Sequence, residues 1–229
     1  MIQHCVVNVA VGPGHVRGQQ RLTESLRAWK YQGDFISWTD AYPPGSPTHQ
    51  SAPYAFKFFA LKEALRRGYD TVLWLDASFW AIDEPMKVFR VIDERGYALW
   101  LAGWTTGEWT SDAALKMLRI TREEAFKYPL VMGGAVGISK YHAGAMELLK
   151  RMLVYAADGA TFPGAWDNKR KQVSTDSRVL GHRHDQPPLG VESKRLGLEP
   201  FRCPYLIAYW LSAHPEPDPR SVFICKGMD

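Results

Sequence analysis

Cysteine is scarce in this chain of 229 residues. Cys5, Cys203 and Cys225 are odd in number and contain no Cys-x-x-Cys pair or zinc-ligand spacing. That excludes a disulfide scaffold and fits a reducing, cytoplasmic setting. Long apolar runs are also missing. The opening MIQHCVVNVAVG has no basic leader, and its apolar run is too short for a signal peptide or a bilayer span. The expectation is a soluble protein without a membrane span. Charge of one sign is nowhere in large excess. Twenty-eight Lys and Arg face 24 Asp and Glu, a formal net charge of +4, with only a modest basic cluster at Asn168-Lys169-Arg170-Lys171. This balance is compatible with anionic ligands but is weak support for nucleic-acid binding. Internal repeats are absent as well.

What is present is enough for one substantial core: 46% hydrophobic and 13% aromatic residues. A single domain over 1–229 is expected, with a regular part over 1–157 and an irregular C-terminal part over 158–229. Val6 to Val11 reads as a buried parallel strand, bounded by Gly12-Pro13-Gly14. Leu22, Ser25, Leu26 and Trp29 share a helical face. Phe35 to Trp38 is a short second strand, and Ala41 to Pro53 is a proline-rich loop. Pro53 suits the start of the helix carrying Phe56, Phe59 and Leu61. An apolar strand, Val72 to Leu75, follows, then a helix with Val88, Phe89 and Ile92. Ala98 to Ala102 reads as a strand, and Thr121 with Glu124 as a capping box. Leu130 to Ile138 reads as a strand interrupted by glycines, after which Ser139 caps a helix with Met146, Leu149 and Leu153 on its core face. Strands alternating with helices predict an α/β fold with a mostly parallel central sheet flanked by helices.

The chemistry concentrates where strands end. Open α/β sheets bind ligands beyond the carboxyl ends of their strands. Asp76 stands at such an end, in YDTVLWLDASFW, and an ionised carboxylate there must be paired, hydrogen-bonded or metal-bound. Capping of the following turn is the plainer alternative. Asp83 reads as the cap of the helix near Pro85. Gly133 and Gly134 permit a ligand to approach the backbone closely, or a bulge without function. Asp185 precedes a plausible helix, so it is either an N-cap or a site carboxylate. His182-Arg183-His184-Asp185 is numbered around a possible three-ligand metal set, set against incidental loop histidines.

The order of these pieces, YDTVLWLDAS, then VMGGAVGIS, then HDQ, resembles the GT-A fold glycosyltransferases that use nucleotide sugars. Their hallmark is an Asp-x-Asp motif ending an apolar strand. Here Asp76-Ala77-Ser78 departs from it at the second acid. The resemblance implies that a divalent cation, Mn2+ or Mg2+, offsets the charge of the nucleoside-diphosphate leaving group. It implies Asp76 as ribose or metal contact assisted by Ser78, with His214 in SAHPEP a candidate third metal ligand or an exposed loop histidine. Asp185 with Gln186 would serve as base or sugar-orienting pair, and Gly133 and Gly134 would line the sugar and acceptor site. Val11 and Gly12, in the loop after the first strand, and Ala77 would contact the nucleotide, and Lys57 the diphosphate. Trp104 and Trp109, in GWTTGEW, offer indole faces on which a sugar ring can stack, or they form a packed flap.

The leading expectation is therefore a hexosyl- or pentosyltransferase acting on a UDP-linked donor. Its acceptor, whether small molecule, glycan, protein or modified nucleic-acid base, is unidentified. The alternatives are a nucleotidyltransferase, or a nucleotide-sugar-binding protein without turnover, to which Ser78 points. Gly12 to Gly18 imitates a dinucleotide fingerprint with its last glycine displaced.

Overall fold

The computed structural model describes residues 2–209 and 218–225. In chain order the elements are β1 (His4–Ala10), α1 (Pro13–Ala28), β2 (Asp34–Thr39), α2 (Phe56–Arg66), β3 (Thr71–Leu75), β4 (Phe79–Ala81), α3 (Met86–Arg95), β5 (Tyr97–Ala98) and β6 (Leu101–Thr105). After a 3-10 turn at Thr106–Trp109 come α4 (Asp112–Leu118), α5 (Arg122–Ala125), β7 (Pro129–Val131), β8 (Ala135–Ser139), α6 (Ala143–Ala157), α7 (Gln186–Arg195), β9 (Leu206–Tyr209) and β10 (Ser221–Cys225).

Five strands form the central sheet in the order β2-β1-β3-β8-β5. β1 runs parallel to β2 and β3, whereas β8 runs antiparallel to both β3 and β5, so β8 alone opposes the other four. The expected α/β fold, with a mostly parallel sheet covered by helices, is what forms. Alternation along the strands divides the core by face. Val7, Val72, Trp74 and Val136 pack with Phe58 and Leu61 of α2 and Leu148 and Met152 of α6. Val6, Leu73, Leu75 and Ala135 pack with Leu22 and Leu26 of α1 and Val88, Phe89 and Ile92 of α3. Each such buried side chain contributes about 1.5–3 kcal/mol relative to its exposed state. The C-terminal residues join both cores, Leu189 and Leu198 on one face and Ile207 and Phe223 on the other. No helix among the described residues is long and apolar enough to cross a membrane.

Several local expectations are corrected. Trp29 is 43% exposed, because the helix turns it past the sheet. Pro53 lies in a turn and α2 opens at Phe56. Ala98 to Ala102 divides between β5 and β6, which belong to different sheets. The cap of α6 is His142, whose Nδ1 accepts from the Ala145 amide at 3.1 Å, while Ser139 ends β8. Asp83 does not cap α3. It accepts from the Glu84 amide and pairs with Lys87. The Thr121–Glu124 capping box forms as read. The stretch from Asp158 to Asp185 carries no helix or strand, and α7, β9 and β10 follow it.

Two polar groups hold the sheet edge where β1, β2 and β3 end. Asn8, wholly buried, donates to the Leu75 carbonyl at 2.6 Å and accepts from Gln19 at 2.8 Å. Gln19 in turn accepts from Thr39 at 2.6 Å, so α1, β1, β2 and the last residue of β3 are joined through one network. Buried His182 braces the irregular stretch. Its Nδ1 accepts the Ser111 amide at 3.2 Å, which leaves Nε2 to donate to the Thr161 carbonyl at 3.0 Å.

Burial, reinforced by neighbouring His184, pulls the His182 pKa down from 6.5 to about 4. Between those values the unfolded chain binds a proton that the native chain refuses, so stability falls as pH drops from about 6.5 toward 4. His182 should account for up to about 3 kcal/mol of that loss. Urea unfolding across this range should show it. His182→Gln, which keeps an acceptor and a donor, should flatten the slope; an unchanged slope would refute the assignment.

Candidate active site

β3 delivers Asp76 to the edge described above. The Asp76 amide donates to the Gly134 carbonyl at 2.8 Å, extending the β3–β8 pairing by one bond, and the Phe79 amide bonds back to the Asp76 carbonyl at 3.0 Å. The carboxylate is thereby turned out of the ladder, with Oδ1 accepting from Trp74 Nε1 at 2.8 Å. Its side chain is 30% exposed, whereas Ala77 is buried. Ser78 does not act as a second acid. Its hydroxyl accepts from the Cys225 thiol at 3.2 Å, and its carbonyl accepts from Arg21 at 3.2 Å. The segment is not an Asp-x-Asp motif.

A second carboxylate arrives instead from the start of α7. Asp185 occupies the N-cap position, yet its side chain makes no capping bond. It is buried and points to Lys57. Lys57, in the first turn of α2, is 3% exposed and donates to the Gly133 carbonyl at 2.9 Å. The same ammonium lies 3.2 Å from Asp76 Oδ1 and 3.1 Å from Asp185 Oδ2. Burial opposes the ammonium's charge, but the two carboxylates outweigh it and raise the Lys57 pKa above its ordinary value. Burial raises the Asp185 pKa, against the lowering influence of Lys57. Apart from the Lys57 ammonium, the buried Asp185 Oδ2 has no polar partner among the described residues. Lys57 was expected at a diphosphate; it is placed between two acids of the protein itself.

Beside Lys57, a cavity of about 170 Å3 opens, bordered by Tyr54, Asp76, Ser78, Asp185 and Gln186 among others. Arg183 and Trp166 also border it, and neither stood out in the sequence. Tyr54 likewise went unnoticed. Its backbone, at φ 64°, turns the ring to within 4.7 Å of Lys57 Nζ. The signal that could have found them is position alone, since Arg183 lies two residues before Asp185 and Tyr54 three before Lys57. Trp104 and Trp109 do not border the cavity. Trp104 is half exposed and meets Trp109 edge to face at 5.7 Å. Val11 and Gly12 follow β1 at the same sheet edge, with the Gly12 amide donating to Asp40 at 2.9 Å. His184 donates from Nδ1 to the Phe162 carbonyl at 3.0 Å, so the paired histidines are committed to the backbone. His214 lies outside the described residues. No group of three or more His, Cys, Asp or Glu side chains that could hold a metal occurs among the described residues.

The glycine pair serves the carboxylates. A Cβ at 133 would overlap Asp185 Oδ2 and lie 2.9 Å from its Cγ. A Cβ at 134 would lie 2.9 Å from the Phe79 ring edge and 3.4 Å from Asp76 Oδ2. The close approach predicted for a ligand is made by the chain's own acids. Gly133→Ala should therefore push Asp185 off Lys57 and destabilise the protein by about 1–3 kcal/mol in chemical unfolding. Gly134→Ala should cost less, because an aromatic edge can pivot. Equal midpoints for Gly133→Ala and the parent chain would refute this packing.

No family model matches the chain, and no curated protein matches it in sequence. Its fold nevertheless recurs along almost its whole length in solved glycosyltransferases. One is a glycosyltransferase involved in the glycosylation of the major capsid of PBCV-1, at TM-score 0.53 and 11% identity, covering 97% of this chain and 93% of that chain. Another is mouse xyloside xylosyltransferase 1, at TM-score 0.51 and 10% identity, covering 98% and 97%. The likeness is one of architecture: the chain has the α/β, Rossmann-like fold of GT-A-type glycosyltransferases.

Proposed function

We propose that this chain is a glycosyltransferase that moves a sugar from a nucleoside-diphosphate donor, UDP-linked by preference, to a hydroxyl acceptor. The observation that carries the reading is the pair of carboxylates, Asp76 and Asp185, gathered by buried Lys57 where β1, β2 and β3 end. That is the edge at which open α/β sheets bind ligands. The shared fold supports it.

In this reading the acceptor oxygen bonds to the anomeric carbon of the sugar, and the bond from that carbon to the diphosphate oxygen breaks. The hydroxyl proton passes to Asp185, which burial makes a stronger base than an exposed carboxylate. Asp76, the more exposed acid, holds donor hydroxyls, with Ser78 and Gln186 beside it on the cavity wall. Val11, Gly12 and Ala77 lie toward the nucleotide. A Mn2+ or Mg2+ ion belongs to the resemblance, but the described side chains do not suit one. The two acids converge on an ammonium, which repels a divalent cation, and Ser78 is a weak ligand engaged by Cys225. We therefore assign the chemistry to side chains.

The test is release of nucleoside diphosphate from a panel of UDP- and GDP-sugars, with EDTA and with Mn2+. The parent chain should consume at least one donor. Asp185→Asn and Asp76→Asn should each slow it by about 100-fold or more when assayed below the thermal midpoint of each variant. Donor that binds without being consumed would replace the transferase reading with that of a binding protein. Full activity in both variants would dismiss the assigned site.

A further inference from the structure

The cavity wall holds a cation that the proposed chemistry leaves unused. The Arg183 guanidinium carbon lies 4.0 Å from the ring centroid of Trp109 and 4.3 Å from that of Trp166, so two indoles hold it. Its backbone is fixed from both sides: the Arg183 amide donates to the Trp109 carbonyl at 3.0 Å, and its carbonyl accepts from the Gln186 amide at 3.0 Å. Among the described residues no carboxylate pairs with the guanidinium, and its buried Nε donates to nothing.

A buried N–H without an acceptor is costly, and an arginine carries five such donors in a planar fork. Burial lowers the Arg183 pKa, yet a guanidinium keeps its charge throughout the physiological range. Lys57 cannot serve a ligand in the same way. Its ammonium has three donors and already meets the Gly133 carbonyl, Asp76 and Asp185. The cavity thus combines one cation committed to the protein with one cation, Arg183, that has no carboxylate partner among the described residues.

Resting on the donor reading above, we infer that Arg183 is the receptor for the donor's diphosphate. Its fork presents two N–H groups to phosphate oxygens, a geometry that matches phosphate in a bidentate manner. It meets the negative charge that develops on the leaving diphosphate, with no divalent ion required for that contact. Trp109 and Trp166 are positioning residues that hold the guanidinium plane open toward the cavity.

Isothermal titration of the full chain with inorganic pyrophosphate, UDP and GDP, each in EDTA, tests the inference. Pyrophosphate and at least one nucleoside diphosphate should bind the parent chain. Arg183→Met should weaken both by about tenfold or more, the expected loss for a charge-assisted hydrogen-bonded contact. Arg183→Lys, which keeps the charge but loses the fork, should recover only part of it, and it serves as the comparison if the methionine variant melts early. UDP binding equally well to the parent and to both variants overturns the receptor and leaves the donor reading intact. Arg183-dependent pyrophosphate binding with no nucleoside diphosphate bound sinks the donor reading and retains the anion receptor. Binding that appears only when Mn2+ replaces EDTA, or no binding at all, overturns the receptor.

Discussion

A buried ammonium persists in a protein only where oxygen atoms surround it, because desolvation would otherwise strip its proton. Lys57 meets that condition with one carbonyl and two carboxylates drawn from three distant parts of the chain. Its position ties the start of α2, the end of β3, the approach to β8 and the start of α7 to a single point. The cost of exposing any one partner falls on the others, since losing the lysine would leave two acids buried side by side. The geometry of the whole sheet edge therefore depends on this contact.

Other features of the edge follow from it. Asp185 can reach Lys57 only because position 133 has no side chain, and Asp76 is held by Trp74, by the strand pairing and by the turn that the Phe79 amide closes. Asp76 and Asp185 come from two elements, the end of β3 and the start of α7, with Lys57 between them. Arg183 adds a second cation to the cavity wall, held over two indoles and without an acid partner among the described residues.

Much of this was legible in the chain. The apolar run Val72 to Leu75 announced a strand buried on both faces, and β3 forms there with every residue buried. Val88, Phe89 and Ile92 were read correctly as a core stripe because a period of 3.6 is unambiguous over that length. Trp29 was misread because helical spacing says which residues share a face without saying where the neighbouring sheet stops. Ala98 to Ala102 was misread because apolar continuity is blind to a chain that changes sheets between β5 and β6.

Sequence alone determined the α/β alternation, the strand that carries Asp76 and the absence of an acid at Ser78, since all three are properties of neighbouring residues. Tertiary structure decided which acids meet. Whether Asp185 caps a helix or enters a site depends on Lys57 and Gly133 being close in space, and no local pattern records that distance. The same holds for Arg183, whose Nε has no hydrogen-bond partner among the described residues, a property that no local pattern in the sequence records.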